Sequence, residues 1–580
     1  MHRRAWQCAV LLTFAAAVAG AAFAGTTILR NVHVVPMDTE RVSDPVVVVV
    51  RDGRIVRIAP VAGFETPLAA EEIDGEGGYL IPGLVDAHMH YRHADDFLNY
   101  LSHGVTTVLG LGQPEKDLGR LREIQGEIAA GDRIGPRIYT TGGTIANHVD
   151  LETAEAGRAY VQRLKREGYD LVKVYNEIPR EVFDAVVEEA RLQGLSVFGH
   201  VPRNYPAEYS LAHGLNVVAH AEELYFTWFG GPRDSQLEEF DASDVPDSSL
   251  VDGVVELMLE HEVALIPNLV FTFNTMQLWN DEEAVFAAPE MAYLHPSVAA
   301  AWRAGSPARR DRIRKRMLRE RIKYSLIHEL TRRAHEAGVM IVTGSDAPLP
   351  GLHPGKSVHG EMRELVKAGF SYFETLSAAT RTAGELVARF VDPGARIGRV
   401  EPGYEADLVL LQDNPLEDIR HAAEISGVMS DGRWHPRSEL ERLRRERSER
   451  YAVLSSVSET LRAAVAEGSP AADLRALLGS SGIDDPDGQE FARTVIESVA
   501  LGAYRAGDIQ EVLRVVTLNT ELFPGSAEGW DTLGQVYEAT GELGKALAAY
   551  RRALEADPAF EHARRQAVAI EARQPPPGDG

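Results

Sequence analysis

The sequence predicts an α/β protein: a (β/α)8 barrel over residues 80–391, a composite β-sandwich from its two flanks, and an all-α C-terminal region. Three observations carry this. Short valine-rich runs alternate with helix-length stretches eight times between Leu80 and Val391, the sequence form of a parallel βα array. Hairpin signals, Asp52-Gly53 and Asp431-Gly432, lie in strand-like segments on either side of that array. A 34-residue period closes the chain, separating Gly507 from Gly541 and Pro524 from Pro558.

Taken in order, residues 1–24 read as an export signal, with His2, Arg3 and Arg4 before an apolar stretch and Ala22 and Ala24 framing an Ala-x-Ala cleavage site. The expected location is periplasmic or secreted. Cleavage before Gly25 would remove Cys8, the only cysteine, so stability must come from packing and metal rather than disulfides. Residues 25–79 give strands Thr27 to Val35, Pro45 to Arg51 and Arg54 to Ile58, and residues 392–435 return to turns and strands that complete the same β-unit. The eight barrel strands are Leu80 to Asp86, Val105 to Gly110, Arg137 to Thr141, Leu171 to Tyr175, Ser196 to His200, Asn216 to His220, Val263 to Leu269, and Val339 to Thr343. The long stretch Phe226 to Gly338 around the seventh strand is expected to roof a pocket. Residues 436–487 form a charged helical connector. Residues 488–572 carry the repeat, in which Trp530, Leu533, Gly534, Tyr537, Ala546, Tyr550, Ala553 and Pro558 match the tetratricopeptide pattern; an earlier copy is degenerate, with Ile496 where Trp530 predicts an aromatic. The Pro-rich end, 573–580, reads as a disordered tail.

Composition excludes several functions. A formal charge of −26 over 580 residues repels nucleic acid and anionic membranes. No segment after the signal is apolar for long enough to cross a bilayer. The basic run from Arg309 to Arg321 is a local exception, read as a solvated helix face or as a cationic rim for a carboxylate-bearing substrate.

The chemistry sits at strand ends. His88-Met89-His90 follows an apolar run, and residues two apart on a strand share a face, so both imidazoles can meet one metal ion. Lys173, His200, His220 and Asp346 each stand in or after a further β-branched run, where barrel enzymes place their catalytic groups. Tyr175, on the face of Lys173, and His148, on the loop after the third strand, are candidate substrate contacts. His353 and His359 are candidates for the mouth, while Tyr91, Arg92 and His93 stay unassigned.

These motifs resemble the amidohydrolase superfamily, its imidazolonepropionase-like and Xaa-Pro-dipeptidase-like branch, over Thr26 to Trp434. The resemblance rests on Pro-Gly-Leu-Val-Asp-Ala-His88-Met-His90, Val-Lys173-Val-Tyr, Gly-His200-Val, Ala-His220-Ala, Gly-Ser-Asp346-Ala-Pro and Gly-Tyr-Glu-Ala-Asp407-Leu-Val. It implies that His88, His90 and Asp346 hold one divalent metal, that His200 and His220 hold a second, and that Lys173 bridges them as a carbamate formed with CO2. The chemistry of the side chains agrees, because imidazole and carboxylate suit zinc-like ions whereas an unmodified ammonium does not. Two such ions would acidify a shared water, with Asp346 as general base and then acid in hydrolysis of a dipeptide, N-acyl amino acid or cyclic amide. Two alternatives stand beside this one. His220-Ala-Glu222-Glu223 resembles an element of mononuclear deaminases, with Glu223 protonating a ring nitrogen. In the other, the barrel is a metal-stabilised scaffold and the helical end binds a peptide partner or a second copy.

Overall fold

The computed structural model describes residues 25–67, 70–146, 149–231, 233, 247–304, 313–483, 485–558 and 560–573. The export signal 1–24, His148, Arg309, Arg310 and Arg312, and the tail from residue 574 lie outside the described residues. Arg573, assigned by sequence to the tail, ends the last helix, Glu561–Arg573. Two compact units are present: one comprises Met1–Ala288 with Pro307–Arg442, the other Pro289–Ser306 with Leu443–Gly580.

In the first unit, both flanks join in one eight-stranded sheet; two facing layers of a sandwich are not distinguished. Its strands are β1 (Thr27–Val34), β2 (Pro45–Arg51), β3 (Arg54–Pro60), β4 (Glu71–Asp74) and β5 (Tyr79–Pro82), followed later by three more. The order is β15-β14-β13-β5-β1-β2-β3, with β4 beside β1. The seam between the flanks is β5 against β13 (Leu408–Leu411), antiparallel with Leu408 opposite Pro82. β14 (Ile425–Ser430) and β15 (Arg433–Pro436) complete the edge. Both outer hairpins turn through left-handed pairs, Asp52 with Gly53 and Asp431 with Gly432, the backbone that two-residue hairpins require.

The parallel strands are β6 (Leu84–Met89), β7 (Val105–Gly110), β8 (Arg137–Thr140), β9 (Leu171–Val174), β10 (Ser196–Gly199), β11 (Val217–Ala219) and β12 (Ala264–Ile266). They form two sheets, β6-β7-β8 and β9-β10-β11-β12, rather than one closed ladder. Isolated parallel bridges link their edges: Thr141 with Leu171, Leu265 with Ile341, and Met89 with Ala347. The expected eighth strand, Val339 to Thr343, is reduced to the bridge at Ile341. Val342 N still donates to Leu265 O at 3.1 Å, and Ala87 N to Thr343 O at 3.0 Å. Gly338 and Gly344 bracket this run.

A second correction concerns the first barrel strand. Leu80 to Asp86 is two strands, because the chain leaves the outer sheet at Pro82 and enters β6 at Leu84. Gly83 makes the handover, and a Cβ there would lie 1.9 Å from Thr106 Oγ1 and 2.6 Å from Thr106 Cγ2. Thr106 is buried and has nowhere to retreat. Gly83→Ala is therefore expected to destabilise the protein by about 2–3 kcal/mol, the scale of core overpacking. The check is a lowered Tm in thermal unfolding, and an unchanged Tm would remove the close-approach argument.

The second unit is helical, with a core of Leu454, Leu461, Leu474, Phe491, Ile496, Val515 and their neighbours. Ile496, which replaces the aromatic of the repeat, is fully buried there. Helices Pro486–Arg505 and Ile509–Leu522 form one pair, and Ala527–Ala539 and Leu543–Ala556 the next. Part of the expected roof belongs here instead. His295 packs edge-on against Tyr451 and Phe491, with centroids 5.3 and 5.8 Å away, so Pro289–Ser306 joins this unit's core.

Candidate metal centre

Val85 and Ala87 of β6 share one buried cluster with Leu171 and Phe198, the residues two positions before Lys173 and His200. Simple alternation would turn His88 and His90 away from that face. The β6–β7 register slips between Asp86 and Met89, and this one-residue bulge transfers both histidines onto it. The spacing rule for His88-x-His90 thus held within the pair, while the aim of the pair depends on a slip that alternation does not reveal.

The ligand candidates converge. His90 Nε2 lies 2.9 Å from Asp346 Oδ1, His88 Nε2 3.5 Å from the same oxygen, and His220 Nδ1 3.9 Å from Asp346 Oδ2. The rings of His88 and His220 are 4.5 Å apart, and those of His200 and His220 4.9 Å. His88, His90 and Asp346 bring one ligand atom each within 4.8 Å of one another, a group that could hold a metal ion. His220 and Asp346, like Asn268 nearby, have left-handed backbones, a conformation that costs on the order of 1–3 kcal/mol in such residues and gathers at functional sites.

Electrostatics puts these groups in ligand form. Burial drives His88, His200 and His220 well below the usual imidazole value, with the Lys173 amine adding to the effect, so the rings are neutral. Burial also lowers Lys173 to about 8. For Asp346, burial acts to raise the carboxyl, but His220, His90 and Lys173 overcome it and hold the group below its ordinary value.

The donors fit a divalent cation. His88 Nε2, His220 Nδ1 and Lys173 Nζ are buried and have no hydrogen-bond partner, while Asp346 Oδ1 has His90 Nε2 within reach. Each such unpartnered group costs about 1–3 kcal/mol when left unsatisfied, so three around one carboxylate call for a shared charge. In three of the four histidines the opposite nitrogen is engaged, as metal-binding imidazoles require. His88 Nδ1 is 3.3 Å from Asn268 Oδ1, His90 Nδ1 3.1 Å from Gly112 O, and His200 Nδ1 2.7 Å from Asn176 Oδ1. The Asp346 turn is pinned from beneath. Asp86 accepts from Ser345 N at 2.9 Å, from the Ser345 hydroxyl, and from His88 N at 3.2 Å. Burial pushes the Asp86 carboxyl up to about 7.

The softer candidates divide. Tyr175 stands at the centre, its ring 4.2 Å from that of His200. His359 does not: it contacts His103 O at 2.8 Å, and burial lowers it to about 4. Tyr91 is committed to a stack on Phe97, and His93 to its neighbours Asp95 and Asp96. Sequence reasoning missed Asn176, Asn268 and Asp86, since single polar residues after or within strands carry no pattern. Glu223 was noted for a different role. It takes a bidentate grip from Arg203 at 2.7 and 2.9 Å and faces His200 Nδ1 at 2.9 Å.

Comparison with known proteins agrees with this fold. The amidohydrolase family model matches residues 79–435, and a tetratricopeptide repeat matches 527–560. Ochratoxinase of Aspergillus niger is 24% identical over 377 residues, covering 60% of this chain and 73% of that protein. The structure of a bottromycin amidohydrolase superposes with a TM-score of 0.55 at 25% identity, covering 73% of this chain and 90% of the other. A Xaa-Pro dipeptidase with bound methionine in its active site gives a TM-score of 0.50 at 19% identity, over 71% of this chain and all of the other. With its ligand-type side chains gathered at the strand ends and more than half its length matched, the chain belongs to the amidohydrolase family, extended at its C-terminal end by a tetratricopeptide repeat.

Proposed function

We propose that this chain is a two-metal hydrolase of amide-type bonds. The observation that carries the reading is the meeting of neutral imidazoles, a low-lying carboxylate and an unpartnered amine at one buried point. His88, His90 and Asp346 would hold one zinc-like ion and His200 and His220 a second, with Lys173 as a carbamate between them. Such a pair would supply Lewis acidity for water and for the scissile carbonyl. Asp346 accepts a proton from the attacking water as the C–O bond forms, and returns it to the departing amine as the C–N bond breaks. Tyr175 meets the substrate beside His200. We read the two parallel sheets and their bridges as one (β/α)8 ring, with these groups at its C-terminal rim.

The family supports an amide substrate, and the Xaa-Pro dipeptidase among the similar structures favours dipeptides; N-acyl amino acids and cyclic amides offer the same bond to this chemistry. Residues 1–24 act as an export signal, and the helical repeat recruits a protein partner or a second copy. The deaminase alternative is weakened by Glu223, whose two oxygens are held by Arg203, so it is poorly placed to deliver a proton to a substrate ring.

One preparation tests the reading. Full-length protein, recovered after export, is expected to start at Gly25 by mass spectrometry and to carry two equivalents of zinc-like metal. It should release amines from a library of dipeptides and N-acyl amino acids. One equivalent of metal with ammonia as product would move the assignment to the deaminase, and absence of metal would sink both.

A further inference from the structure

The helix Leu269–Asn280 begins after Asn268, which occupies its N-cap position. Asparagine is favoured there because its side chain can accept from the first backbone N–H groups. Asn268 makes no such bond. Its side chain is only 2% exposed and is turned to the metal centre, with Oδ1 3.3 Å from His88 Nδ1. The capping comes from elsewhere. Val270 N donates at 2.7 Å to Glu361 Oε2, a fully buried carboxyl on the helix Lys356–Lys367. The left-handed backbone of Asn268, at φ 51°, is one that asparagine tolerates better than most residues.

We propose that Asn268 is a positioning residue that fixes the tautomer and aim of His88, released for that task because Glu361 caps the helix in its place. The inference rests on His88 being a metal ligand, yet its first consequence is visible without metal. A neutral imidazole has two tautomers. An Nδ1–H donating to Asn268 Oδ1 leaves the lone pair on Nε2, the nitrogen that faces Asp346 Oδ1 at 3.5 Å and has no hydrogen-bond partner. The other tautomer would put a buried proton where a cation must bind, and would need the Asn268 amide to turn over and present its Nδ2 to the ring.

The experiment uses the full chain, stripped of metal and labelled with 15N-histidine, with the His88 signals assigned by their absence in His88→Asn. In the wild type, the ring-nitrogen shifts are expected to report a single Nδ1–H tautomer. Asn268→Gly keeps the backbone at ease but removes the amide, and should give a tautomer mixture. Zinc affinity, measured by competition with a chromophoric chelator, should fall by about 10–100-fold in this variant, the scale of losing an outer-sphere partner. Asn268→Asp retains an acceptor and should stay within about threefold of wild type, and Glu361→Leu should resemble Asn268→Gly. An Nε2–H tautomer in the wild type, or a pure Nδ1–H tautomer in Asn268→Gly, overturns the proposal. Because the wild-type spectrum decides the first point, a variant that fails to fold does not shelter it. A wild type with the Nδ1–H tautomer but no affinity for zinc would uphold the positioning role and defeat the metal reading instead.

Discussion

Asp346→Asn is expected to lower kcat/KM by roughly 10³-fold or more, since in the proposed mechanism it removes a ligand and the general base in one change of a single atom. The substitution keeps the shape of the side chain, so packing against Ser345 and Ala347 should survive. What goes is the negative charge that offsets burial among His90, His220 and Lys173. An amide can still place an oxygen near a cation, but it accepts no proton from water at neutral pH. The expected result is therefore a folded protein, with Tm close to wild type, reduced metal content and almost no turnover. Metal analysis, thermal unfolding and amide hydrolysis on the same sample separate these effects. Substantial activity in this variant would falsify the assignment of Asp346 as base.

The site was legible in the sequence because its donors repeat one local signature, a β-branched run ending in a residue able to bind metal. Each of His88, Lys173, His200, His220 and Asp346 carries that signature, and they meet at one centre. Asn268 carries none. Its role depends on a left-handed backbone and on a partner 180 positions away, and no local period encodes such a separation. The β6 bulge was hidden for a related reason: alternation reads a strand as regular, and one extra residue reverses the face of everything after it. The division at Gly83 was readable but overruled. Pro82-Gly83 is a breaker pair, yet the apolar run on both sides resembles one buried strand. In the helical end, the 34-residue period named the paired helices, whereas the place of Pro289–Ser306 in that core rests on ring contacts of His295 that sequence cannot supply.

Lys173→Ala should lower turnover by on the order of 10³-fold and release at least one metal equivalent, because in the proposed centre Lys173 is the bridging ligand and its loss falls on both ions. The physical case begins with the amine. Lys173 is 2% exposed, lacks a hydrogen-bond partner, and is lowered by burial to about 8, so roughly a tenth of it is uncharged at pH 7, far more than of an ordinary lysine. Only the uncharged amine attacks CO2: a C–N bond forms, one proton leaves, and a neutral group becomes an anionic carbamate with two oxygens. The sign of the pH effect follows. As pH rises through about 8 the amine fraction climbs most steeply, so reconstitution of metal-free protein with zinc and bicarbonate should quicken from about pH 7 to about pH 9 and flatten above it. The Ala variant leaves a cavity that a small carboxylate can enter, so acetate or propionate should restore part of the metal and part of the rate. Lysine acting as an unmodified cation predicts the opposite on every count. Carboxylates would not rescue, bicarbonate would not matter, and removing a positive charge from the centre would tighten metal binding. A Lys173→Ala protein with full metal content and ordinary turnover decides for that cation.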